Sequence, residues 1–221
     1  MKTSTFARGL RPHGFTLIEL LVVISIIAIL AGLLLPAVMI AKTKAKISLA
    51  KSEMANLAAA ITAYETEYTR MPISKEALAA AAAAPDFTFG TVDKGGGQIA
   101  APPIKNAGSY FNVNSELIDI LRNLKNPYNP RQLPFFHAKD ALANNAPGIG
   151  PDGVFRDPFG NPYIITLDLG DDNKCEDAFY SSKIGPVHGP VMIWSFGPDR
   201  KADAAAGPKA GSNKDNILSW E

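Results

Sequence analysis

The sequence predicts an α+β chain: a long N-terminal α-helix packed on a small antiparallel β-sheet head, with a loop and helix insertion between them. Three observations predict it. An apolar run from Phe15 to Leu35 continues into a 3/4-spaced apolar pattern that reaches Tyr68. Gly and Pro, 18 and 17 in number, lie mostly after Met71, so the later chain must use short elements and many turns. Two short β-rich runs, Tyr163–Leu167 and Val191–Ser195, are bounded by turn residues.

The bulk numbers narrow the function classes. A length of 221 residues allows one or two domains. The 22 Lys and Arg against 21 Asp and Glu give no basic excess, which argues against a nucleic-acid partner. Cys175 is the sole cysteine, so an intramolecular disulfide is impossible, and it is expected as a small buried side chain. The three histidines, His13, His137 and His188, are scattered and do not suggest a zinc site.

Residues 1–14 carry Lys2, Arg8 and Arg11 and no acid, the pattern of a leader retained on the cytoplasmic side. The apolar run that follows would be about 32 Å long as a helix, close to a bilayer core. It is too long for an ordinary secretory signal, and no A-x-A cleavage site follows it. A plain signal anchor leaves Glu19 unexplained, because a carboxylate in hydrocarbon costs several kcal/mol unless paired. Residues 15–36 are therefore read as a membrane and assembly segment. Pro36 should bend or locally melt the helix.

Beyond it, Ile40, Ile47, Ala50, Met54, Leu57, Ile61, Tyr64 and Tyr68 mark one face of an amphipathic half, residues 37–72. The spacing predicts one helix from about Phe15 to Arg70, ending near Met71-Pro72. Lys42, Lys44 and Lys46 are expected in solvent or against lipid headgroups. Residues 73–151 read as an insertion. Within it, Ser74–Ala84 is a short helix capped by Ser74. Asn114–Leu124 is a second helix, capped by Asn114 or Ser115 and burying Leu117, Ile120, Leu121 and Leu124. Phe135 and Phe136 are expected to anchor the stretch, and His137 and Asp140 are read as surface polar groups. Residues 152–221 hold the sheet, with a further strand start at Val154-Phe155.

Arg11-Pro12-His13-Gly14-Phe15-Thr16-Leu17-Ile18-Glu19 resembles the processing site of type IV pilins and type II secretion pseudopilins. That resemblance implies a pilin fold. It also implies cleavage after Gly14 by a prepilin peptidase, methylation of the Phe15 amine, and assembly roles for Glu19 and Pro36. Glu19 lies one turn from the new amine, so the amine of one copy can pair with Glu19 of another. Asp157-Pro158-Phe159-Gly160-Asn161-Pro162-Tyr163, Ser195-Phe196-Gly197-Pro198-Asp199 and Asp215-Asn216-Ile217-Leu218-Ser219-Trp220 resemble stretches of the major pseudopilin of type II secretion. In that family the intervening loop binds calcium. The resemblance would place Asp199, Asp215, Asn213, Asn216 and the carbonyls of Trp194 or Ser195 as ligands. Asn216 stands where the family has Asp, and Arg200, Lys201, Lys209 and Lys214 oppose a cation.

The expected function is a structural, non-enzymatic subunit of a type II secretion pseudopilus. It is expected to be single-pass in the inner membrane, N-terminus cytoplasmic, with a periplasmic head. Its partners would be copies of itself, the prepilin peptidase, the inner-membrane secretion platform and minor pseudopilins. The alternatives are a surface type IV pilus subunit, and a membrane-anchored enzyme or binding module. No catalytic motif supports the last.

Overall fold

A computed structural model of the chain describes residues 14–81, 86–106, 112–123 and 125–221. The leader, residues 82–84 of the expected Ser74 helix, and Leu124 thus lie outside the described residues, apart from Gly14. The chain divides into two compact units, Met1–Thr43 and Lys44–Glu221.

Helix α1, Leu17–Tyr68, begins and ends within two residues of the expected bounds. In the first unit its apolar side chains are exposed, as an all-apolar helix is when no protein covers it. Its most apolar window has a mean hydropathy of 2.9, and it is long enough to cross a membrane. The helix is not interrupted at Pro36, contrary to the local melting expected there. Proline removes only its own donor, and the carbonyl four residues earlier belongs to Gly32, whose backbone has freedom to tilt away from the ring.

In the second unit, Ala50, Met54, Leu57, Ala60, Ile61 and Tyr64 of α1 are buried. Ile47 and Tyr68 are partly buried, while Ile40, in the first unit, stays exposed. The buried stripe packs on a four-stranded antiparallel sheet. Its strands are β1 (Asp86–Phe89), β4 (Ile164–Asp168), β7 (Val191–Ser195) and β8 (Ile217–Leu218), in the order β1-β4-β7-β8. Phe87 pairs Leu167, Ile165 pairs Ile193, and Ser195 pairs Ile217. Short two-stranded ladders join β2 (Gly148–Ile149) to β3 (Phe155–Arg156), and β5 (Lys174–Cys175) to β6 (Val187–His188).

Period-2 alternation sends Phe87, Phe89, Ile165, Leu167, Ile193 and Ile217 into the α1 core. Ile164, Met192, Trp194 and Leu218 go to a second core with Cys175, Phe179 and Tyr180. The sheet is thus buried on both faces, where one covered face was expected. The second cover comes from Phe179 and Tyr180 after β5 and from the C-terminal tail. Cys175 is buried as expected, and burial pushes its thiol well above the usual range.

The stretch read as an insertion is not separate from this head, because it supplies the edge strand β1. It also supplies α2 (Lys75–Ala80), where Ser74 Oγ accepts from Ala77 N at 3.1 Å as an N-cap. Helix α3 (Ser115–Arg122) buries Leu117, Ile118, Ile120 and Leu121. Asn114 occupies its cap position without a side-chain cap bond. Its amide instead accepts from Phe155 N (2.8 Å) and donates to the carbonyls of Phe155 (2.9 Å) and Tyr163 (2.8 Å), locking α3 to the sheet. Phe136 packs edge-on against Phe155, and Phe135 against Tyr64 and Tyr68, so both phenylalanines anchor their loop.

Candidate functional site

The described chain opens at Gly14 and Phe15, which precede α1 and are exposed, Phe15 at 75%. Among the described residues other than its chain neighbours, no atom lies within 4 Å of where a Gly14 side chain would sit. Thr16 and Glu19 then cap the helix reciprocally. Thr16 N and its hydroxyl donate to Glu19 Oε2 at 2.8 and 2.6 Å, and Glu19 N donates to Thr16 Oγ1 at 3.3 Å. This is a capping box, which satisfies two otherwise orphaned N–H groups. The Thr16-x-x-Glu19 spacing of this box is readable in the sequence. All Glu19 hydrogen bonds among the described residues go to Thr16, which is neutral. The next charged residue along the chain is Lys42, more than ~30 Å further at helical rise. Among the described residues the carboxylate is therefore positioned by Thr16 without a charged partner, one turn into an apolar helix.

The head motifs converge on a buried acid that sequence reasoning did not single out. Asp157 Oδ1 accepts from Phe159 N and Asn161 N, both at 2.8 Å. Its Oδ2 accepts from the Asn161 amide at 3.0 Å and from the Ser195 hydroxyl. The same Asn161 amide donates to the Gly197 carbonyl at 2.8 Å, and Gly197 N donates to Ser195 Oγ at 3.2 Å. The Asp157–Tyr163 turn and the Ser195–Asp199 turn are thus one knot. Ser195, whose carbonyl was the candidate ligand, donates its hydroxyl to Asp157. Desolvation pushes Asp157 above the usual carboxylate range despite these donors. Asp177, fully enclosed, plays a similar part. It accepts from Phe179 N (2.9 Å), Tyr180 N (2.7 Å), Thr166 Oγ1 (3.0 Å) and Trp194 Nε1 (3.2 Å).

The tail from Phe196 to Ile217 contains the other expected metal ligands. Asp199 N donates to Asp215 Oδ2 at 2.9 Å, and Asp199 Oδ1 accepts from Lys201 N at 2.8 Å. Asn213 is buried. Its Oδ1 accepts from Asp203 N (2.8 Å), and its Nδ2 donates to the carbonyls of Asp203 (2.9 Å), Ala206 (3.1 Å) and Gly207 (3.1 Å). Asn216 is buried too. In the amide orientation that satisfies all its neighbours, Nδ2 donates to Phe196 O (2.9 Å) and Lys201 O (3.2 Å), and Oδ1 accepts from the Tyr180 hydroxyl (2.6 Å). Burial pushes Tyr180 up to about 12, so that hydroxyl keeps its proton. Lys209 Nζ donates to the Asn216 carbonyl at 2.7 Å and pairs with Glu221 at 3.2 Å. Gly197 has φ +69°, and a Cβ there would run into the Asp215 carbonyl, so the two ends of the tail meet at a glycine. Among the described residues, no three His, Cys, Asp or Glu side chains are placed to hold a metal.

One of the three lysines expected in solvent has a specific contact: Lys46 Nζ lies over the Phe159 ring, 5.1 Å from its centroid. Asp140, expected as a surface group, pairs with Arg122 at 2.7 Å.

Residues 10–35 match the family model described as the prokaryotic N-terminal methylation motif. The chain is 39% identical over 70 residues to the type II secretion system core protein G of Pseudomonas aeruginosa, covering 32% of this chain and 49% of that protein. It is 39% identical over 72 residues to core protein G of Pectobacterium carotovorum subsp. carotovorum, covering 33% and 46%. It is 37% identical over 75 residues to core protein G of Klebsiella pneumoniae, covering 34% and 54%. The chain thus spans about half the length of the curated relatives it matches. No solved structure matches it.

Proposed function

We propose that this chain is a structural subunit of a type II secretion pseudopilus. It is made as a precursor, cut after Gly14 by a prepilin peptidase and methylated on Phe15. It then polymerises through α1 from an inner-membrane position, with its head in the periplasm. Its partners are further copies of itself, minor pseudopilins and the inner-membrane secretion platform. Its work is mechanical rather than catalytic.

The observation that carries this reading is Glu19. Among the described residues it is an acid held only by Thr16, in a helix whose exposed apolar surface belongs in lipid or among like helices. Cleavage would place a positive amine on Phe15, a turn from Glu19. An amine donated by a neighbouring copy neutralises the carboxylate, and the pair fixes the register between subunits. The exposed Gly14–Phe15 bond, the methylation-motif match and the similarity to core protein G support the same reading.

Two measurements test it. The intact mass of membrane-extracted protein should show loss of residues 1–14 and gain of one methyl group. Full-length mass would contradict processing. Glu19→Ala should leave the head folded and abolish filament assembly, scored by cross-linking between copies. Unimpaired assembly would remove the register role. Long surface fibres lost on gene deletion would assign the chain to a surface pilus instead.

A further inference from the structure

The resemblance implies a calcium-closed tail, and the tail's own donors fit that ion poorly. A hard divalent cation needs six or more oxygens turned towards it, several of them anionic. The segment Phe196–Ile217 has inward-turned carbonyls, but nitrogen already meets them. The Asn216 amide takes those of Phe196 and Lys201, the Asn213 amide those of Asp203, Ala206 and Gly207, and the Lys209 ammonium that of Asn216. The two carboxylates named as ligands are engaged by backbone N–H groups of the same tail. Charge argues the same way. The segment holds Asp199, Asp203 and Asp215 against Arg200, Lys201, Lys209 and Lys214, so its balance is positive before any metal is added.

We infer that the tail closes without a cation, with the Asn216 and Asn213 amides and the Lys209 ammonium standing where the metal would be. Each amide gathers two or more carbonyls from earlier in the loop onto one nitrogen, as a bound cation gathers oxygens. Both amides are buried, so their hydrogen bonds are shielded from water. Tyr180 fixes the Asn216 orientation. With its hydroxyl donating to Oδ1, the amide nitrogen is turned to the carbonyls of Phe196 and Lys201. This inference stands independently of the filament reading, because it concerns how the head is closed.

The test is thermal melting of the full chain in detergent, followed by fluorescence of Trp194 and Trp220, with a calcium chelator and with millimolar calcium. The natural chain should melt within about 1 °C in both conditions. A stabilisation of several degrees by calcium would overturn the inference. Asn216→Asp turns an anionic oxygen towards the two carbonyls. It should melt roughly 5 °C or more below the natural chain in chelator. It should regain much of that loss in calcium, since a ligand has replaced a donor. Asn216→Ala should be destabilised equally in both conditions. If Asn216→Asp melts with the natural chain in chelator, or gains no calcium response, the amide does not occupy a cation's place. None of these outcomes depends on whether the chain assembles.

Discussion

Asp157 receives four hydrogen bonds from three different residues, Phe159, Asn161 and Ser195, and through them joins the turn before β4 to the turn after β7. Asp157→Ala strands those donors in a buried site, and each unmet donor costs free energy that water cannot return. The expected loss is about 3 kcal/mol of head stability by urea denaturation, with the unfolding slope unchanged. A loss under ~1 kcal/mol would mean that the knot closes without its acid. Residue chemistry of this kind was only half legible in the sequence. The turn residues Asp157, Gly160 and Asn161 announce a turn, but nothing in their spacing says that Ser195, 38 positions on, donates to the same carboxylate. Asp177 gave no signal, because its four partners come from β4, β7 and its own turn.

At the scale of elements, α1 is held to the head by its apolar stripe and by polar bonds, one of them next to β4. Tyr163 donates to Glu53 Oε2 at 2.5 Å, from a ring that is fully buried to a carboxylate that is half-buried. Tyr163→Phe should cost about 1 kcal/mol, and a double-mutant cycle with Glu53→Gln should show coupling of at least ~0.5 kcal/mol. Zero coupling would mean that the Tyr163–Glu53 bond adds nothing to the apolar stripe at this point. Elements with a clear period were readable in advance. The 3/4 spacing gave α1 and α3, and the apolar runs gave β4 and β7. Strand β1 was missed because Asp86–Phe89 has only two apolar residues in a Gly- and Pro-rich setting, and its pairing with β4 is a long-range choice. Asn114 was expected to cap α3. Its amide goes to the sheet instead, a competition that local sequence does not encode. For the candidate site, Glu19 stood out as the one charge in an apolar run, whereas Gly14 and Phe15 came from the resemblance to the pilin processing site. The donor character of the Asn213 and Asn216 amides was not legible, since an Asn offers oxygen and nitrogen equally until its neighbours are known.

For the molecule as a whole, pH should act through the buried carboxylates. Desolvation raises Glu53, Asp86, Asp157 and Asp177 above their ordinary values. A raised acid binds its proton more tightly when folded. Its favourable contribution is complete below the unfolded value and is lost as pH climbs through the folded one. Asp152 behaves oppositely. Burial alone would raise it, but the Arg156 guanidinium beside it holds it low, and that contribution fades as pH falls through its depressed value. The melting temperature of the head should therefore rise as pH falls through the raised carboxylate values and fall again as pH drops through the depressed value of Asp152. A monotonic decline from neutrality would mean that the donors around Asp157 and Asp177 outweigh their burial.

Because both faces of the sheet are covered, the head's own exposed large apolar side chains are scattered singly, at Leu49, Leu78, Leu133, Leu142 and Ile184. Greasy surface is otherwise concentrated between Phe15 and Ile40. Stickiness and shape are therefore divided along the chain. Substitutions can redraw the water-facing part without altering the apolar helix half, and can retune that half without unfolding the head.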